Sequence, residues 1–185
     1  SDTLYGGAGN DILRAGSGND ILDGGADDDS LYGDSGEDLV IGGLGNDFIR
    51  GGSELDIIYG DDTLRTNTSG GNDIIYGDAG DDTLYGGYGD DIIYAGYGDD
   101  TLNGGANNDD LYGDAGSDTV DYSDATSGVI VDLSAGIIAG ADGVATGDGI
   151  DNLYSIENAV GSKYDDRFIS NYTISNKFDG GTDET

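Results

Sequence analysis

The stretch Gly6-Gly7-Ala8-Gly9-Asn10-Asp11-Ile12-Leu13-Arg14 decides the fold, because eleven more units of the same form follow it as far as Asp121. Counted from its first glycine, the unit has aspartate at position six every time: Asp11, Asp20, Asp29, Asp38, Asp47, Asp56, Asp73, Asp82, Asp91, Asp100, Asp109 and Asp118. Position eight is aliphatic every time: Leu13, Leu22, Leu31, Val40, Ile49, Ile58, Ile75, Leu84, Ile93, Leu102, Leu111 and Val120. The period is nine except in the seventh unit, where Asp62 to Ser69 insert eight residues. A short fixed period of this kind is the signature of a solenoid.

Residue types give the unit its shape. Positions seven to nine are rich in Ile, Thr, Leu and Tyr, which suits a short strand. Alternation sends residue eight inward and residues seven and nine outward. Positions one to six read as the turn, where glycine permits positive φ and close backbone approach. At position four, Asp27 and Asn107 tolerate that geometry, and Glu54 fits it poorly. Two units make one coil, so units of equal parity stack on one edge. Twelve units then build about six coils, a flattened rod roughly 25–30 Å long. Its interior is an apolar ribbon one side chain wide. That is too little burial to offset the ordering entropy of a chain with 37 glycines among 185 residues.

Charge names what is missing. Against 39 Asp and Glu stand 6 Lys and Arg, a formal net charge of −33. Such a field repels phosphate backbones and anionic lipid, which argues against nucleic acid and membrane surfaces as partners. Cysteine and histidine are absent, which removes the usual zinc, haem and iron–sulfur ligands and the common catalytic triads. Apolar runs are only a few residues long, so no membrane-spanning helix is expected. Stacking brings each position-six aspartate to about one strand spacing from the one eighteen residues away. Carboxylates that close repel unless a cation lies between them. An oxygen-only site with flexible ligands suits calcium and suits magnesium poorly.

The G-G-x-G-x-D-x-U-x pattern resembles the RTX (repeats-in-toxin) family from Ser1 to about Asp121. The resemblance implies an all-β parallel β-roll, a right-handed β-solenoid, over residues 1–121, with an irregular β-rich capping segment over 122–185. It implies Ca2+ between successive turns of one edge, held by two position-six aspartates and by backbone carbonyls of the turns. The aspartate pairs include Asp11 with Asp29, Asp20 with Asp38, Asp82 with Asp100, and Asp91 with Asp109. The carbonyls would come from Gly7, Gly9, Gly16, Gly18, Gly24, Ala26, Gly33, Ser35, Gly36, Gly42, Leu44, Gly45, Gly77, Ala79, Gly80, Gly86, Gly87, Tyr88, Gly89, Ala95, Gly96, Tyr97, Gly98, Gly104, Ala106, Gly113 and Ala115. Six aspartates on each edge leave ten gaps, so about eight to ten ions are expected. Asp34, Asp61, Asp78 and Asp114 at position two either add a ligand or sit in solvent. The family further implies a secreted or cell-surface bacterial protein, exported by a one-step type I channel, without catalysis in these residues.

Beyond Tyr122 the nonapeptide stops. Val129 to Leu133 and Ile137-Ile138 read as short strands joined by Ser134-Ala135-Gly136, and Asp142 to Asp151 as a glycine-rich loop. Gly161 to Ile169 resembles a degenerate unit with Asp166 at position six and Phe168 at position eight. Phe178 is the inward residue of another. The tail is expected to cover the open end of the roll. Ser1 to Tyr5 matches positions five to nine and Gly180 to Thr185 begins a further unit, so the chain is expected to be part of a larger repeat protein. Tyr76, Tyr94 and Tyr112 share one edge at position nine, and Tyr59 and Tyr85 the other. Such rows stabilise a sheet, or stack on sugar rings in a carbohydrate-binding or adhesive module, which makes a glycan the alternative partner.

Overall fold

A computed structural model describes residues 1–62, 70–133, 137–140, 149–170 and 176–180. The described residues contain strands and no helix, and the strands build a parallel β-solenoid. One sheet stacks, in order, Thr3–Ala8, Ile21–Ala26, Leu39–Leu44, Ile57–Asp61, Thr83–Tyr88, Thr101–Ala106, Thr119–Asp121, Asn158–Val160 and Lys177–Asp179. The other runs through Ile12–Ser17, Ser30–Ser35, Phe48–Ser53, Ile74–Ala79, Ile92–Tyr97 and Asp110–Ala115 into the tail. Register is strictly unit on unit: Leu22 lies on Leu4 and Val40, and Ile93 on Ile75 and Leu111. The position-eight column is the core, and from Leu22 to Val120 each of its residues is fully buried.

The strand is longer than the composition suggests. It spans six residues, from position seven through position three of the next unit, and leaves only positions four to six for the turn. Alternation therefore turns position one inward as well, and it is buried beside position eight. A side chain there would strike its surroundings: a Cβ on Gly77 falls 2.5 Å from the Ala95 carbonyl and 2.6 Å from Asp82 Oδ2. Positions two and four carry the positive φ. Asp27, Asn107 and Glu54 all adopt it, at 76°, 89° and 74°. Glu54 fits better than its type suggests, because its carboxylate accepts the Gly36 N–H of the coil below at 2.9 Å.

The stack does not end with the twelfth unit. Ile150–Tyr154 pairs with Asp110–Ala115, and Asn158–Val160 with Thr119–Asp121, so the tail resumes the solenoid after an excursion. Nine strands at the ~4.8 Å spacing make the rod about 38 Å long, more than six coils would reach. The expected glycine-rich loop stops earlier than Asp151, which lies inside a strand. Val129–Asp132 and Ile137–Gly140 form the expected pair, antiparallel, and join the second sheet between Ile150–Tyr154 and Arg167–Ile169. Residues 63–69 of the insertion, the 134–136 connection, residues 142–148 of the loop and the last five residues lie outside the described set.

Candidate metal centre

Each turn hands its backbone donors to a neighbouring coil. The N–H of position four goes to the position-three carbonyl one coil on, as Gly18 to Ser35 at 2.8 Å and Gly80 to Tyr97 at 2.9 Å. The N–H of position seven goes to the position-six carbonyl one coil back, as Ile92 to Asp73 at 2.9 Å. The N–H of position six goes to the side chain of the next position-six aspartate. Asp11 N–H donates to Asp29 Oδ1 at 2.7 Å, Asp20 to Asp38 at 2.8 Å, Asp82 to Asp100 at 2.7 Å, and Asp91 to Asp109 at 2.9 Å. The insertion does not break the row, since Asp47 N–H reaches Asp73 Oδ1 and Asp56 N–H reaches Asp82 Oδ1. All four predicted aspartate pairs are thus brought together.

That accounts for one oxygen of each carboxylate from Asp29 onward, and the Asp2 N–H serves Asp20 Oδ1 in the same way. The other, Oδ2, is buried without a hydrogen-bond partner in all twelve position-six aspartates. From Asp20 to Asp118 these residues are at most 3% exposed. Where position one is glycine, Oδ2 turns back over it, and at most of these places a carbonyl from the next coil also arrives. Gly24, Gly42, Gly77, Gly86, Ala95 and Gly104 supply such carbonyls. A buried anion without a partner is costly, so these oxygens call for a proton or a cation.

Protonation is what the chain alone can offer. Burial pushes the carboxyls from Asp29 to Asp118 above the ordinary 3.8; the accepted amide opposes the rise and like charges along the row reinforce it. Asp91 is raised to about 9 and Asp73 to about 8. Asp47, Asp56, Asp82 and Asp118 are raised to about 7, and Asp100 to about 6. Asp29 and Asp38 also move up, as does Asp109, through burial and then the facing Asp151.

The donor set fits a calcium ion. It is all oxygen, anionic, and spread over flexible turns rather than gathered at one octahedral point. Among the described residues no three acidic side chains form a ready-made metal cluster, so a pair of aspartates would need backbone carbonyls to complete a site. The carbonyls of Ala26, Ser35, Tyr97, Ala106 and Ala115 already accept one backbone N–H each and retain one lone pair. At position two, Asp78 is held by Arg50 instead, with Nε 2.9 Å from Oδ2 and Nη2 2.6 Å from Oδ1. Asp61 accepts the Tyr88 N–H and keeps a buried, unpartnered Oδ1.

Three features escaped the sequence reading. Position five forms its own ladder, in which Asn46 N–H donates to Asp28 Oδ1, Asn72 N–H to Asn46 Oδ1 and Asp90 N–H to Asn72 Oδ1. Its signal was present: every position-five residue except Leu55 carries a side-chain oxygen. Next, Asp151 and Glu157 continue the two position-six rows, accepting from Asp109 N–H at 3.0 Å and Asp118 N–H at 2.9 Å. Gly149-Ile150-Asp151-Asn152-Leu153-Tyr154 is positions four to nine of a displaced unit. Third, Asp151 Oδ2 is not left alone, because the Tyr122 hydroxyl donates to it at 2.6 Å. Asp166, which the sequence did place at position six, takes Val129 N–H on Oδ1 and keeps a partnerless Oδ2.

The tyrosine row is a stack of rings. Tyr76 and Tyr94 are 4.9 Å apart, Tyr94 and Tyr112 4.6 Å, and Tyr112 and Tyr154 4.3 Å, within 17° of parallel. Tyr59 and Tyr85 stack at 4.7 Å on the other sheet. Ring faces spent on each other cannot also receive a sugar, which favours the sheet-stabilising role.

Comparison with known proteins identifies the repeat. The family model of the RTX calcium-binding nonapeptide repeat matches four stretches, residues 1–31, 32–63, 67–96 and 85–120. No curated protein matches the chain.

Proposed function

Because the chain belongs to the family of RTX calcium-binding nonapeptide repeats, we propose that it is a calcium-dependent folding module of a secreted bacterial protein. The observation that carries this reading is the two rows of buried aspartates from Asp20 to Asp118, each with one oxygen held by an amide and one without a partner. Residues 1–121 are the folding unit and residues 122–185 close its end. The position-six aspartates of successive coils hold the ions, with turn carbonyls completing each site. Bound calcium supplies the positive charge that lets these carboxylates stay ionised inside the turns.

The mechanism is linkage. An ion that binds only the folded chain adds its binding energy to folding. Where calcium is scarce, −33 charges on a chain with a thin core oppose compaction and leave it extended, a form that can be threaded through a channel. Outside the cell the paired carboxylates fill and the coils stack. Folding of the emerging end then hinders its return.

Equilibrium calcium binding tests the assignment of ligands. Saturation is expected at about eight to ten ions, falling by two in Asp91→Asn, whose carboxylate borders two gaps, and by one in Asp11→Asn, at the end of its row. Saturation at two or three ions, or the same loss in both variants, would refute the ligand set.

A further inference from the structure

Position two on the second sheet alternates coil by coil in register: Gly16, Asp34, Gly52, Asp78, Gly96, Asp114. Each internal glycine is therefore a notch between two carboxylates, two strand spacings or about 9.6 Å apart. At Gly52 the chain fills the notch itself. Arg50, two residues earlier, lays its guanidinium against Asp78 through two hydrogen bonds, 5.8 Å from the Tyr76 ring centre. At Gly96 the residue two earlier is Tyr94, which brings no cation. That notch is an open cavity of about 490 Å³, with Asp78 and Asp114 at its ends and Tyr76, Tyr94 and Tyr97 along its sides. Tyr97 is 74% exposed.

We propose that the Gly96 notch binds the guanidinium group of an arginine side chain presented by a polypeptide partner. The occupant's chemistry is written one notch away, where the same frame of alternating carboxylates and a tyrosine ring receives Arg50. A carboxylate offers about four acceptor directions, so Asp78 keeps capacity on its Gly96 side after serving Arg50. Asp114 is exposed and faces the cavity. Arginine suits this frame better than lysine, since its planar fork meets a carboxylate bidentately and can lie flat on the exposed Tyr97 ring. The surrounding negative field raises the encounter rate of a basic segment. A neutral sugar is disfavoured, because Tyr76 and Tyr94 stack on each other. The proposal requires only the folded roll, whatever folds it.

The test is a backbone-amide NMR titration of the full calcium-loaded chain at physiological ionic strength. The probes are arginine blocked at both ends, blocked lysine and a neutral glucose oligosaccharide. Blocked arginine is expected to shift the amides of Gly96, Tyr97 and Asp114, and to bind several-fold more tightly than blocked lysine. Asp114→Asn and Tyr97→Ala should each weaken it at least five-fold in saturating calcium, with the fold of each variant confirmed by circular dichroism. Tyr94→Arg should abolish it by filling the notch from within. Shifts spread over the whole acidic surface, binding indifferent to Asp114→Asn, or preference for the oligosaccharide would each overturn the proposal.

Discussion

At the scale of single residues, the position-six aspartate does two jobs with two oxygens. Oδ1 accepts the amide of the coil before it, and that holds the stacking register. Oδ2 is the buried charge that has no partner within the chain. Substitution should therefore act in opposite directions with and without the ion. Asp91→Asn keeps an acceptor for the Asp73 amide and removes a carboxyl that burial raises to about 9. In chelator the variant is expected to fold more readily than the parent. In calcium its half-folding concentration should rise several-fold. Paired calcium titrations and urea melts read both signs, and a variant destabilised under both conditions would show that the carboxylate serves packing alone.

At the scale of the strand and turn, the energetics are uneven along the rod. Ile93 is fully buried between Ile75 and Leu111, so Ile93→Ala should cost about 2–5 kcal/mol in saturating calcium. Leu13, on the first coil of its sheet, is only partly buried, and its alanine variant should cost less. Urea unfolding compares the two, and equal losses would contradict a graded core. Tyr122→Phe tests the tail. It strips the donor from Asp151 Oδ2, leaves that oxygen buried, and should loosen the tail by about 1–3 kcal/mol. Hydrogen exchange should speed at Asn152 and Leu153 and stay unchanged at Ile93; uniform acceleration would contradict a local role.

These elements also show what could be read in advance. The aspartate and aliphatic columns announced the stack, its register and the rows of facing aspartates, because a nine-residue period repeats the same environment in every unit. Strand length was misjudged because glycine at positions one and two reads as turn. In the folded chain position one is an inward strand position. A Cβ added at its glycines would meet the aspartate of its own unit and, at most of them, a carbonyl of the next coil, and only Ala15 and Ala95 carry a side chain there. Leu153, Ile156 and Val160 read as the apolar stripe of a further coil, but the return of the aspartate row at Asp151 was hidden by the interruption from Tyr122 to Asp148, which breaks the period. Asp78 could not be assigned from its own unit, since its partner Arg50 lies 28 residues earlier.

For the whole molecule, charge is the variable that decides between coil and roll. The position-six carboxyls from Asp29 to Asp118 have folded-state pKa values above their ordinary 3.8, up to about 9 for Asp91. Below about pH 4 both states hold the proton and these groups do not oppose folding. As pH rises the unfolded chain ionises first, so metal-free stability falls progressively and is lost by about pH 9. The chelated chain is therefore expected to gain β-structure on acidification from pH 8 to 4, and calcium should abolish that dependence near neutrality. Circular dichroism against pH with chelator and with calcium checks both. A chelated chain that unfolds further on acidification would reverse the sign and refute the electrostatic argument.

The most direct test of the central claim is a calcium titration of the metal-free chain at neutral pH, followed by far-ultraviolet circular dichroism, with magnesium in parallel. The account predicts a cooperative passage from coil to β-structure with calcium and none with magnesium at the same concentrations. A chain already folded in chelator would mean that packing and amide hydrogen bonds suffice, and the calcium switch would have to be abandoned.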